Sequence, residues 1–210
     1  DERAALLAPD RRDDATLDNK ATTGEIAYLV QAHRETGNPA YLAAAGRGVE
    51  YLLQAQYANG GWPQYYPDRS SYRHQITLND DAMVRAISLL QDIAEGRDDM
   101  AVLTPRYGAR AVTAAQRGID SLLALQVRID GEPTIWAAQY DEATLRPAKA
   151  RAYELPSLAV AESVGVLRLL MRQPQPDART VAAIESAAHW LQAHRLHDLA
   201  LERVQAPAED

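Results

Sequence analysis

A ten-residue passage occurs twice in this chain. R-G-V-E-Y-L-L-Q-A-Q, from Arg47 to Gln56, returns 70 residues later as R-G-I-D-S-L-L-A-L-Q, from Arg117 to Gln126. A weaker third copy, A-H-W-L-Q-A-H, ends at His194, 68 residues further on. A second pair runs in step with the first: T-L-D-N begins at Thr16 and T-L-N-D at Thr77. Self-similarity at a fixed period means stacked copies of one supersecondary unit. The apolar period inside each unit is helical, so the unit is a helical hairpin. Three hairpins can close a ring where two cannot. The predicted fold is all-α: an (α/α)3 toroid with alternating inner and outer helices and long aromatic- and charge-rich loops.

The spacing predicts six helices. The first runs from about Ala21 to Thr36, with Ile26, Leu29, Val30 and His33 on one face. Asn38 and Pro39 form a cap-plus-proline start for the second, which buries Leu42, Val49, Leu52 and Leu53 and ends near Tyr57. The third follows Asp81, carries Met83, Val84, Ile87, Leu90 and Ala94, and stops at Gly96. Thr104-Pro105 repeats the cap-plus-proline start for the fourth, which buries Val112, Ala115, Ile119 and Leu122. The fifth starts near Leu158 with Val160, Val164, Leu167 and Met171 inward. The sixth is capped by Asp177 and buries Val181, Ile184, Ala188 and Leu191. One domain over residues 16–195 results. Residues 1–15 are weakly patterned, with Leu6 and Leu7 free to pack on a neighbour, and 196–210 form a tail.

Composition limits the function. Apolar content of 47% in 210 residues supplies a sizeable core. A net charge of −7 argues against nucleic-acid binding through counterion release, but a local basic cluster in an acidic protein still suits an anionic ligand. There is no cysteine, hence no disulfide or thiolate chemistry. No apolar run approaches the roughly 18 residues of a membrane span, and the N-terminus does not read as a signal peptide. Neither a P-loop, nor G-x-S-x-G, nor H-E-x-x-H is present.

The candidate chemistry lies in three places. Asp18-Asn19 and Asn79-Asp80-Asp81 precede the first and third helices. Each is a good N-cap, and taken singly capping is the simpler reading. Capping needs one side chain, however, and the surplus carboxylates and amides at repeat-related places suggest oxygen ligands for a hard cation such as calcium. The third place is the non-repeating stretch Gln139–Glu162, which sets Arg146, Lys149 and Arg151 among carboxylates and tyrosines. The repeat places all three before the first helix of a hairpin, so they are expected to converge at one end of the toroid. There Lys149 and Arg151 change from a surface ion-pair run into the cationic half of a cleft. Trp62, Tyr65 and Tyr66 read equally as packed residues or as a sugar-stacking platform; Trp136 reads as core. His74, alone beside the second acidic place, reads as structural or exposed.

N-G-G-W-P-Q-Y-Y-P, I-T-L-N-D-D-A-M, T-I-W-A-A-Q-Y-D and K-A-R-A-Y-E-L-P-S-L-A-V-A-E-S-V-G together resemble the family 10 polysaccharide lyases, which are pectate lyases on an (α/α)3 toroid. The resemblance runs in order from about Thr16 to His194. It implies cleavage of polygalacturonate by calcium-assisted β-elimination. By resemblance, Arg151 is the base that takes the C5 proton, and Asp18 and Asp80 are the acidic residues of the calcium site. Asn19, Asn79, Gln139, Lys149 and Tyr153 would bind substrate. The implied partners are polygalacturonate or oligogalacturonides, not nucleic acid or membrane. The implied protein is a monomer and is secreted or periplasmic. A non-catalytic carbohydrate-binding relative and a helical scaffold for a protein or small molecule are the alternatives. Two positions depart from the family pattern: Lys20 stands where the family has glycine, and Tyr140 where it commonly has histidine. The family continues past the point matching Asp210, so this chain is expected to lack one wall of the cleft and to be weakened.

Overall fold

The computed structural model describes residues 15–199 and Glu202; Leu6 and Leu7 lie outside them. Six helices occupy the six predicted places: α1 Thr23–Thr36, α2 Pro39–Ala55, α3 Ala82–Glu95, α4 Thr104–Leu125, α5 Val160–Met171 and α6 Ala178–Ala193. α1 packs on α2, α3 on α4, and α5 on α6. The middle hairpin joins the other two, α3 touching α1 and α5 while α4 touches α2 and α6. Odd helices therefore neighbour odd, and even neighbour even, as stacked hairpins require. α3 is the axis of the core, with Met83, Ala86, Ile87, Leu90 and Ile93 fully buried. Among the described residues no helix is long and apolar enough to cross a membrane.

The repeated residues do repeated work. The Gln56 amide donates to the Ala114 carbonyl of α4 (2.9 Å), and the Gln126 amide to the Ala183 carbonyl of α6 (3.1 Å). Each glutamine thus closes one hairpin and ties it to the next. The two loop tryptophans are equally matched. The Trp62 indole N–H donates to the Leu52 carbonyl (2.8 Å) and that of Trp136 to the Leu122 carbonyl (2.7 Å). Both are fully buried, which assigns Trp62 to packing and removes it as a sugar platform. Tyr66 packs edge-on to Tyr51 (6.1 Å), and Tyr65 lies under Arg73 (4.7 Å). Buried donors need acceptors, and the two tryptophans find theirs on the preceding helix.

Two glycines of the repeat are also matched. A Cβ on Gly48 would lie 2.6 Å from Ile26, and one on Gly118 would lie 2.7 Å from Ile87 and 2.9 Å from Trp62. They let α2 approach α1, and α4 approach α3. Gly118→Ala is therefore expected to destabilise the fold by about 1–3 kcal/mol through overpacking, despite alanine's better helix propensity; urea denaturation measures it.

Several expectations need correction. Asn38 and Asp177 cap as predicted, accepting from the Ala40 N–H (3.0 Å) and the Thr180 N–H (2.7 Å). Thr104 does not cap: its hydroxyl donates to the Ile93 carbonyl of α3 (2.7 Å). The α5 stripe is rotated. Val160 and Met171 are 55% and 68% exposed, whereas Ser163, Val166, Leu167 and Leu170 are buried. The segment is apolar on nearly all sides, so its period does not select a face. Ser163 takes the buried place because its hydroxyl donates to the Ala159 carbonyl (2.6 Å) and accepts from the Trp136 N–H (3.0 Å). α6 likewise buries Thr180, Ala183 and Ala187, leaving Val181 and Ala188 exposed. Val112 is 54% exposed, at the rim of a cavity of about 470 Å³ shared by α3, α4 and residues 173–177, which holds none of the candidate site residues.

Four two-residue strands were not predicted. β1 (Ile76–Thr77) pairs antiparallel with β4 (Gln139–Tyr140), and β2 (Arg128–Ile129) with β3 (Glu132–Pro133). The first ribbon matters for function, because it fastens the non-repeating stretch to the second acidic corner.

Candidate functional site

Each acidic corner is built by the same device. Leu17 and Leu78 are buried, and their N–H groups donate to the Gln64 carbonyl (2.9 Å) and the Ala138 carbonyl (2.7 Å). One turn of 3-10 helix follows at each, Asp18–Lys20 and Asn79–Asp81. In each turn the last two residues are left-handed: Asn19 and Lys20 at φ 48° and 69°, Asp80 and Asp81 at φ 52° and 58°. Asparagine and aspartate tolerate this conformation; lysine bears its steric cost.

The capping reading fails at both corners. The cap position of α1 is Thr22, whose N–H is bound by the Glu25 carboxylate, and no side chain caps α3. Asp18 Oδ1 accepts from its neighbour's N–H, that of Asn19 (3.1 Å). Asp80 Oδ2 accepts from the Asn79 amide (2.9 Å). Neither carboxylate is spent on a helix start.

The two corners touch, and the second also touches α5. A cavity of about 300 Å³ lies between them, lined by Asn19, Lys20, Asp80, Asp81, Arg85 and Glu162. Lost hydration raises the Asp80 carboxyl above the usual carboxylate range, and the Asp18 carboxylate beside it adds to the effect. Two like charges held together disfavour ionisation unless a cation joins them. Arg85 offsets this only partly, with its Nε on the Asp80 carbonyl (3.2 Å) and Nη2 3.6 Å from Asp81 Oδ2. Among the described residues no three His, Cys, Asp or Glu side chains are grouped to hold a metal. Asp18 and Asp80 supply two oxygen donors; a calcium ion there would take further ligands from water or a bound anion.

This arrangement gives a stability prediction. With its pKa raised in the fold, the Asp80 carboxyl is destabilising once ionised, so stability falls as pH rises through its titration. Asp80→Asn is expected to raise the melting temperature at neutral pH without divalent cations, which differential scanning fluorimetry reads.

A second cavity, of about 370 Å³, lies beside the first, with Asn79 lining it and Asp80 lining the other. Gln139, Ala148, Ala150, Tyr153 and Glu154 line it with Asn79. The β1–β4 ribbon sets Gln139 opposite Thr77. The Gln139 carbonyl accepts from the Ala148 N–H (2.9 Å), and the Gln75 amide donates to the Lys149 carbonyl (2.9 Å). The stretch 139–154 is thereby folded back beside the acidic corners, as the repeat predicted. Lys149 has no carboxylate within 4.0 Å of its amine among the described residues. Arg151 is paired instead: Nη2 is bound by Glu154 Oε1, its N–H by Glu154 Oε2 (3.1 Å), and its guanidinium lies 5.2 Å from the Tyr153 ring centroid. The Glu154 hydrogen bond raises the Arg151 pKa still further, holding the guanidinium charged. Tyr140 is fully buried, its hydroxyl accepting from the Ala137 N–H (2.6 Å).

All eight candidate residues thus lie at or beside two adjoining cavities. Asp81, Lys20 and Glu154, already noted in the sequence without an assigned role, join them, and Arg85 and Glu162 are new. Glu154 carried a signal, three residues from Arg151, but outside a helix that spacing has no fixed geometry. His74 lies beside this region with Nε2 3.5 Å from Glu142 Oε2.

A family model described as pectic acid lyase matches residues 1–210. The solved family 10 polysaccharide lyase from Cellvibrio cellulosa is 37% identical, with a TM-score of 0.80 over 84% of this chain and 55% of its own. A mutant of that enzyme in complex with trigalacturonic acid is 36% identical at the same TM-score, covering 84% of this chain and 56% of its own. The chain therefore spans little more than half the length of these structures. No curated protein matches it.

Proposed function

As this chain belongs to the pectic acid lyase family, we propose that it cleaves polygalacturonate by β-elimination, with calcium as cofactor. The observation that carries the reading is the pair Asp18–Asp80, uncapped, in contact, and with the Asp80 carboxyl raised by its surroundings. Asp18 and Asp80 would hold the ion. When bound, calcium would draw charge from a uronate carboxylate and so acidify the adjacent C5 proton.

Arg151 is the proposed acceptor of that proton. It must first lose one of its own, against an intrinsic pKa above about 12. Its partner Glu154 works the other way, so the resting ion pair has to open before Arg151 acts. A nearby cation and Lys149 would favour the neutral form. Activity confined to alkaline pH follows. Asn19 and Asn79 offer amides at the two corners, while Gln139 and Tyr153 face the second cavity; with Lys149 they would orient the chain of sugars. The family resemblance supports a secreted or periplasmic address and a monomer.

One observation favours a second reading, a binding-only relative: Arg151 is held charged by Glu154. Incubation with polygalacturonate separates the two. Calcium-dependent appearance of unsaturated, ultraviolet-absorbing ends supports the lyase; retention of oligogalacturonate without such ends supports the binder.

A further inference from the structure

The second cavity differs in chemistry from the first. Lysine, arginine and three carboxylates line the acidic one. In the other, Glu154 is the single ionised lining group, and both of its oxygens are taken by Arg151. Ala148 and Ala150 line this cavity, but the cations alternating with them, Lys149 and Arg151, do not. Gln139 is 6% exposed, and its Oε1 has no hydrogen-bond partner among the described residues. The hydroxyl of Thr77, across the ribbon and fully buried, is also unpartnered. A buried acceptor left unmatched is costly, and native sites keep one where a ligand supplies the donor.

We infer that this cavity is an ester-tolerant sugar subsite, taking an uncharged galacturonate residue next to the one whose carboxylate sits at Asp18 and Asp80. The inference rests on the lyase reading. The Gln139 amide turns to present Oε1, which is shut from the surface without ligand, to a sugar hydroxyl donor. The apolar C–H face of the ring lies on Ala148, Ala150 and the Tyr153 side chain, which is 74% exposed. The Arg151 guanidinium beside the cavity is already neutralised by Glu154, so a free carboxylate finds no uncommitted cation among the lining groups to offset its lost hydration; a methyl ester carries no such penalty. Cavities of this size suit a ligand ring, the usual range being about 300–1,000 Å³.

The test is calorimetric titration, with calcium present and at neutral pH, where an activity confined to alkaline pH leaves the ligand uncleaved, of trigalacturonate and its singly methyl-esterified isomers into the wild type, Gln139→Met and Tyr153→Ala. One isomer is expected to bind within about threefold of the free acid, and an isomer esterified at the acidic corner about tenfold or more weaker. Gln139→Met should weaken the tolerated isomer about five- to tenfold. Tyr153→Ala, at an exposed position where folding is not at stake, should weaken it as well. If every single ester costs tenfold or more, or if both variants bind the tolerated isomer like the wild type, the subsite is overturned. If the free acid itself does not bind, the lyase reading falls first and takes this one with it.

Discussion

Arg151→Ala is expected to lower the rate of unsaturated-product formation about a thousandfold, the range in which a positioned proton acceptor contributes, while leaving the melting temperature unchanged. The second half follows from exposure. Arg151 touches Glu154 and the Tyr153 ring and is half exposed, and exposed ion pairs contribute little to stability. A purely structural arginine would not separate rate from stability in this way. Glu154 sharpens the test. Because the carboxylate raises the Arg151 pKa, its removal lowers it, and a base must be deprotonated to act. Glu154→Gln should therefore move the rising limb of the pH–rate profile to lower pH. Arg151→Lys should restore part of the rate, because a lysine, with an ordinary pKa of about 10.4, deprotonates more readily than an arginine. Steady-state rates across the alkaline range read all three variants.

The second large effect is expected at Asp80. Asp80→Asn should reduce calcium-dependent turnover about 10²- to 10³-fold, comparable to losing one element that stabilises developing charge. The same substitution is expected to raise the melting temperature, as the raised Asp80 pKa requires. Opposite signs on activity and stability mark a residue kept for function at a cost to the fold. Calcium should stabilise the wild type, measurably more with trigalacturonate present than alone, because Asp18 and Asp80 supply two protein donors and the remaining ligands must come from elsewhere. The Asp80→Asn variant should lose most of that response.

The hairpins were legible because their residues carry paired tasks. Gln56 and Gln126 bridge successive hairpins, and Leu17 and Leu78 anchor successive corners, so selection on one geometry left the same letters twice. The convergence of both acidic corners with the 139–154 stretch followed from that repeat alone. The inward faces of α5 and α6 were not legible. Across Val160–Met171 the polar residues are Glu162, Ser163 and Arg168, so apolar residues fall on every side, and the buried side is the one that holds the hydrogen-bonding Ser163. The β1–β4 ribbon was hidden because two residues are too few to show alternation. Capping was the natural reading of Asp18 and Asn79-Asp80, and it failed because both turns end in left-handed residues that carry the side chains away from the helix starts. The clamp on Arg151 was hidden too: its charges stood side by side in sequence, but only the folded backbone shows that Glu154 takes both the guanidinium and the backbone N–H.

The most direct measurement is the ultraviolet absorbance of polygalacturonate incubated at alkaline pH with the wild type or Arg151→Ala, each in calcium or in chelator. The account predicts a steady rise for the wild type in calcium, and almost none in chelator or with the variant. A rise that survives chelation, or one that Arg151→Ala sustains at the wild-type rate, would contradict it.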